Sequence, residues 1–309
     1  MSHQHDHSHH HHHPPGEEMW ASDHNRAFKV GIGLNVVFVL IEIVVGILNN
    51  SMSLLTDAGH NLSDVASLLL SLIAFRLAKK KSNDTFTYGY KKTTILAALF
   101  NAVFLLITVG ILGFESVHRL IHPEFVKGGV IAWVAAVGIV VNVLTALMFF
   151  KSRKSDLNIK SAYLHMMSDA LVSAGVVAGG IVIIWTHWYW VDPLIGLVVM
   201  VVILLSTWSL LTHSFKLSVD AVPPDISISD IRDLIMQQKD IVEVHHIHIW
   251  ALSTTENALT AHVSLSEGLS FSEKMALVRR LKHTLLHHQI HHSTIEIETE
   301  TANCEQKDC

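Results

Sequence analysis

Six apolar runs, each near the ~20 residues a helix needs to cross ~30 Å of hydrocarbon, fill the chain between residues 27 and 213. They fall at about 27–48, 53–77, 93–117, 129–150, 161–186 and 191–213. In lipid every backbone N–H and C=O must find its partner inside the protein, so these runs are expected to be helices. The composition agrees: 50% of the 309 residues are hydrophobic and 16% are charged, where soluble domains carry roughly a quarter charged residues. A formal net charge of −5 leaves no basic footprint for nucleic acid. The two cysteines, Cys304 and Cys309, make no disulfide framework. The opening residues lack the pattern of a secretory signal.

Loop charges set the expected orientation. Arg76, Lys79, Lys80, Lys81, Lys91 and Lys92 flank the second and third runs, and Lys151, Arg153, Lys154 and Lys160 follow the fourth. The alternate loops hold only Arg119 and Lys127. Basic loops stay in the cytoplasm, so both termini are expected there. Residues 1–25 are polar and His-rich, with no apolar period, and read as a disordered tail. The run His9–His13 reads either as a tag or as a weak metal-capture tract. The six runs occupy 26–215, and Asp192-Pro193 reads as the N-cap of the last one. A soluble domain is expected over 216–301, with a tail at 302–309. Its helix and strand periods alternate in the order α-β-β-α-β. The predicted fold is therefore an all-α six-helix transmembrane bundle plus a small cytoplasmic α+β domain of ferredoxin-like, metallochaperone-like order.

The stretch 53–70, SLLTDAGHNLSDVASLLL, places ionisable residues inside an apolar run. Charge at membrane depth costs several kcal/mol or more unless it is paired. His60 and Asp64 are four apart and share a helix face. The fifth run repeats the spacing with His165 and Asp169. Two such helices face to face would offer two nitrogens and two oxygens, the number and type of donors in a tetrahedral Zn²⁺ site. Mg²⁺ and Ca²⁺ prefer six or more oxygens, whereas Cd²⁺, Co²⁺ and Fe²⁺ suit the same donors. Two carboxylates sum to −2, so a divalent cation neutralises the site, and protons should replace the cation when it leaves. Asp57, one turn earlier on the same stripe, reads as tuning the site or capping a break rather than as a ligand. Glu42, Asn35, Asn101 and Asn142 read as interhelical hydrogen-bonding groups.

SMSLLTDAGHNLSDVASL, TFTYGYKKTTILAALFNAV, SAYLHMMSDALVSAGV and VDPLIGLVVMVVILLSTW together resemble the cation diffusion facilitator family, zinc-transporting branch. VHHIHIWALS and LTAHVSL resemble its cytoplasmic domain. The resemblance implies a homodimer that exports divalent metal in exchange for protons, with His60, Asp64, His165 and Asp169 holding the ion. Two His with two Asp resembles the zinc-preferring pattern. Some members bind a second ion between spans two and three; here NDTFTYGYKK offers Phe86 and Tyr90 where His would be needed, and no metal is expected there.

The soluble domain carries His245, His246, His248 and His262 with Glu296 and Glu298. On a regular strand His245 and His248 face opposite sides. The resemblance favours His245, His262 and Glu298 as ligands; surface histidines are the competing reading. His288-Gln-Ile-His291-His292 matches a box of membrane di-iron desaturases, but the further H-x-x-x-H boxes that chemistry needs are missing, and so is H-E-x-x-H. No enzyme is expected. The sequence thus points to a proton-coupled Zn²⁺ antiporter of the bacterial cytoplasmic membrane, with a vesicle membrane as the other location. The rival function is a membrane-anchored sensor or buffer that binds zinc without moving it.

Overall fold

The apolar runs are helices in the computed structural model, which describes residues 33–150 and 157–299. The His-rich tail, Lys151, Arg153, Lys154, Cys304 and Cys309 lie outside the described residues, as does the side chain of Lys160. The described part of α1 is Gly33–Leu48. It is followed by α2 (Met52–Ala78), α3 (Thr93–Ile121), α4 (Gly128–Phe149), α5 (Leu157–Thr186) and α6 (Val191–Ser218). Among the described residues α2 to α6 are each long and apolar enough to cross a membrane. Their outer faces are apolar too. Phe100, Phe114, Trp133, Leu171 and Trp185 are 72–83% exposed, a surface that suits lipid and not water. Trp188 stacks on Trp190 beside Trp185 and Tyr189 at the α5–α6 turn, where a membrane interface favours amphipathic rings.

The chain forms two compact units. The first takes the residues up to Val65 together with Thr108–Ile203. Its apolar core joins Leu54, Val126, Ile131, Ala135, Val176, Ile183 and Val191. Here α4 and α5 touch backbone to backbone. A Cβ on Gly128 would lie 2.6 Å from the Gly180 carbonyl oxygen, and one on Gly180 would lie 2.8 Å from that of Gly128. Small residues allow this approach, and dispersion between closely packed helices then holds α5 in place.

The second unit takes Ala66–Ile107 and the residues from Leu204 onward. Beyond α6 it holds α7 (Ile228–Met236), β1 (Ile241–Ala251), β2 (Asn257–Leu265), α8 (Phe271–His287) and β3 (Ile290–Thr299). The sheet order is β1-β2-β3. Strands β1 and β2 are antiparallel, and β2 and β3 are parallel. Parallel pairing needs a crossover, which α8 supplies. The apolar stripes of α7 (Ile231, Ile235) and α8 (Leu277, Leu281, Leu285) close over Val244, Ile249, Leu259 and Val263 in one core. Ser227 caps α7 by accepting from the Asp230 N–H. Ser270 and Glu273 form a reciprocal capping box on α8, and the Ser270 hydroxyl holds the Glu273 carboxyl below its usual range.

Strand β1 departs from the regular alternation expected from sequence. Between His245 and His248 its register against β2 slips: His245 pairs with His262, but His248 pairs with Thr260. Three residues on one strand thus span two on the other, which is a bulge. His246 sits in it with φ 49°, a left-handed conformation. The bulge puts His245 and His248 on one sheet face, where regular alternation would have set them on opposite faces. They remain apart because their partners on β2 are two residues apart, and His248 is exposed.

Candidate metal-transport site

The four membrane residues singled out by spacing meet between α2 and α5. His60 Nε2 lies 3.7 Å from Asp64 Oδ2 and 3.7 Å from Asp169 Oδ1. His165 Nε2 lies 3.1 Å from Asp64 Oδ2 and 3.7 Å from Asp169 Oδ2. Asp64, His165 and Asp169 each present one ligand atom within 4.8 Å of the other two. Donors ~2.0–2.1 Å from a tetrahedral Zn²⁺ sit ~3.3–3.5 Å from one another, so these spacings suit that ion with small adjustments. Asp169 Oδ2 and His60 Nδ1 are buried with no hydrogen bond among the described residues. Buried polar atoms are rarely left so, and a cation in the seat would engage Asp169. Exposure is graded: 41% for His165, 33% for Asp64, 19% for His60 and 4% for Asp169. The seat therefore opens on the His165–Asp64 side and is closed beneath Asp169.

Two further features surround this seat, and sequence reasoning missed the first. Asp192 does not act chiefly on its own helix. Its carboxylate, 1% exposed, accepts from Ser51 Oγ at 2.7 Å, Ser53 Oγ at 2.5 Å and the Met52 N–H at 2.5 Å. It thus caps α2, whose first turn has no acidic residue of its own. The first N–H groups of a helix lack internal partners, and a carboxylate there also meets the positive end of the dipole. Gly196, one turn along α6, lets that helix come close: a Cβ there would lie 3.3 Å from the Met52 carbonyl. Arg119 donates to the Asn50 carbonyl at 2.5 Å while its Nε donates to Glu115 at 2.8 Å. The α1–α2 turn is held by a carboxylate from α6 and a guanidinium from α3.

The second feature lies at Glu42, expected to be an interhelical hydrogen-bonding group and indeed bonded by Asn61 of α2, and at Asp57, expected to tune the site or cap a break. Both are fully buried. The sequence signals were the stripe position of Asp57 one turn before His60 and, for Glu42, a lone acidic residue in an apolar run.

In the soluble domain His262 Nδ1 lies 2.7 Å from Glu298 Oε1, and His245 Nε2 lies 3.1 Å from Glu298 Oε2. These three are brought together as ligands of one ion would be. His245 Nδ1, His245 Nε2 and Glu298 Oε2 are buried without hydrogen-bond geometry among the described residues. Glu296, 65% exposed, lies 3.5 Å from His262. The bulge adds His246, whose ring is 5.2 Å from that of His245 and 5.1 Å from that of His262. Regular alternation would have sent it to the other face.

The basic residues after α2 are engaged in contacts of their own. Within the second unit Lys91 Nζ pairs with Glu256 at 2.5 Å and Lys92 Nζ with Asp220 at 2.6 Å. The Thr254 N–H donates to Thr94 Oγ1 at 3.1 Å, and Tyr88 meets His292 edge to face. These contacts tie the α2–α3 loop to the α+β domain.

Comparison with known proteins agrees with this architecture. The cation efflux transmembrane domain matches residues 28–217, and the cytoplasmic domain of cation efflux proteins matches residues 223–300. The chain is 38% identical over 268 residues to the cadmium, cobalt and zinc/H(+)-K(+) antiporter of Bacillus subtilis, with 86% of each chain covered. It is 34% identical over 307 residues to the metal cation efflux system protein CzcD of Cupriavidus metallidurans, covering 99% of this chain and 92% of that one. Zinc transporter ZitB of Escherichia coli is 32% identical over 312 residues, with 100% and 96% covered. With six apolar helices, a small α+β domain and both halves matched, the chain belongs to the cation diffusion facilitator family, zinc-transporting branch.

Proposed function

We propose that this protein exports Zn²⁺ from the cytoplasm in exchange for protons, with His60, Asp64, His165 and Asp169 holding the ion in transit. The observation that carries this reading is the meeting of two imidazoles and two carboxylates from α2 and α5 inside the membrane-spanning part, at spacings of 3.1–3.7 Å. Cd²⁺ and Co²⁺ suit the same donors, and the B. subtilis relative is named for all three metals. Zn²⁺ makes the pair of carboxylates neutral; when it leaves, protons take up the lost charge balance, so metal and protons compete for the same atoms. Orientation follows from the basic loops, with both termini in the cytoplasm. In that orientation Asp64 lies nearer the cytoplasm than His60, and His165 nearer than Asp169. The exposed ligands are then the cytoplasmic ones, and the seat faces its source of metal. The assembly is a homodimer in a bacterial cytoplasmic membrane, the membrane in which its bacterial relatives would perform efflux.

Zinc uptake into proteoliposomes with internal pH recorded tests the reading. Intact protein is expected to carry zinc in and protons out, and Asp64→Ala is expected to reduce the flux to that of empty vesicles. Equal flux in both preparations would place the path elsewhere.

The soluble cluster supports a second role beside transport. His245, His262 and Glu298 bind a regulatory zinc ion on the β1–β2–β3 face. On this reading His262→Ala lowers the zinc retained by purified protein, measured by equilibrium dialysis, while Asp64→Ala in the same assay removes only the membrane share. If His262→Ala abolished uptake with its membrane zinc intact, sensing would control transport strictly. If folded intact protein bound zinc yet neither it nor Asp64→Ala moved any, the sensor or buffer function would stand alone.

A further inference from the structure

Beside the metal seat, on the side toward the N-terminal end of α2, lies a pair of carboxyl groups that the seat does not use. Glu42 on α1 is 0% exposed and Asp57 on α2 is 1% exposed. Asn61 Nδ2 donates to Glu42 Oε2 at 3.3 Å, and Ser173 Oγ donates to Asp57 Oδ2 at 3.4 Å. Asn61 lies four residues after Asp57 on the same face of α2, so its bond to Glu42 brings the α1 carboxyl to that face, beside Asp57. Their remaining oxygens, Glu42 Oε1 and Asp57 Oδ1, are buried and receive no donor among the described residues. Among the described residues, the charged groups that bear most on the pair are His60 on α2 and Asp169 on α5. Asn61, the hydrogen-bond donor to Glu42, is not a ligand of the seat.

An ionised carboxylate only accepts hydrogen bonds. Two of them facing each other in a buried site repel, and the arrangement closes only when one carries a proton that the other accepts. We propose that Glu42 and Asp57 form a proton site distinct from the metal seat, holding one shared proton while the seat is free of metal and releasing it when zinc arrives. The trigger is electrostatic. Asp57 is one turn from His60, so a divalent cation in the seat favours the fully ionised pair. The bond broken is the O–H of the shared carboxyl, and the proton passes to solvent water; no oxidant or further reactant is involved. By reciprocity, a proton returning to the pair lowers the affinity of the seat for zinc. This coupling rests on the exchange reading above and assigns a residue pair to its proton.

The test counts protons. Zinc binding to the full chain in detergent, measured by calorimetry in buffers of different ionisation enthalpy, gives the protons released per zinc. Glu42→Gln keeps the volume and the acceptor for Asn61 but cannot ionise. It is expected to lower the count by about one proton per zinc and to flatten the dependence of zinc flux on the pH gradient, with zinc still bound in the seat. Asp57→Asn is expected to do the same and stands in if Glu42→Gln does not fold. A count and a pH dependence equal to those of the intact protein would overturn the proposal. Zinc flux by the intact protein with no proton movement would instead overturn the exchange reading, and the pair's role with it.

Discussion

Exchanging Asp169 for Asn is expected to stop zinc transport and to weaken zinc binding at the membrane seat by at least ~100-fold, although the side chain keeps its size. Asp169 touches both imidazoles, Oδ1 facing His60 and Oδ2 facing His165, each at 3.7 Å. At 4% exposure it is the member of the proposed seat that water can least replace. The exchange removes one of the two charges that neutralise Zn²⁺, leaving a net positive charge in a buried place. Breaking a buried charge pair costs about 3–5 kcal/mol, and each ~1.4 kcal/mol is a factor of ten in binding. Equilibrium dialysis of purified protein, with His262→Ala in the background to silence the soluble cluster, measures the affinity. An affinity within about threefold of the parent would mean that the ion is held without this carboxylate.

Asp192→Ala should be the most destabilising single change in the membrane part that leaves every metal ligand in place. It strips the Met52 N–H and the Ser51 and Ser53 hydroxyls of their acceptor in a buried site. Leaving buried donors unpaired costs about 1–3 kcal/mol each. The hydroxyls can turn to other acceptors and the N–H cannot, so a loss on the order of 3 kcal/mol is expected. Asp192→Asn keeps one acceptor oxygen and loses the attraction to the helix dipole, and should lose less. Thermal unfolding in detergent, followed by tryptophan fluorescence, ranks the three proteins. A transition for Asp192→Ala matching that of the parent would show that α2 is held by something else.

Much of the architecture is legible in the sequence because it depends on local periods. The six apolar runs mark the helices, and the i, i+4 spacing of His60 with Asp64 and of His165 with Asp169 puts each pair on one helix face. That α2 and α5 then face each other is a long-range fact, suggested by the matching chemistry of the two pairs. What could not be read was long-range with no matching partner in view. Asp-Pro at 192–193 looks like a local cap, and the donors it serves are about 140 positions earlier in the chain. Lys91 and Lys92 look like topology signals, and their partners are Glu256 and Asp220. The bulge in β1 failed for another reason. No glycine marks it, and His246 takes the left-handed conformation itself, so the HHIHIW pattern read as a regular strand.

A helix fastened at one end works as a lever. With the start of α2 fixed by Asp192, a change in its tilt moves each residue in proportion to its distance from Met52. At ~1.5 Å rise per residue, His60 lies ~12 Å and Ala78 ~39 Å from that point, so a tilt of ~10° shifts them by ~2 Å and ~7 Å. The smaller shift equals a whole zinc–nitrogen bond length of ~2.0–2.1 Å, enough to dismantle the seat, while the far end of the same helix swings wide. One rigid element, hinged at a buried carboxylate, thus has the reach to part the four residues of the proposed seat in a single motion.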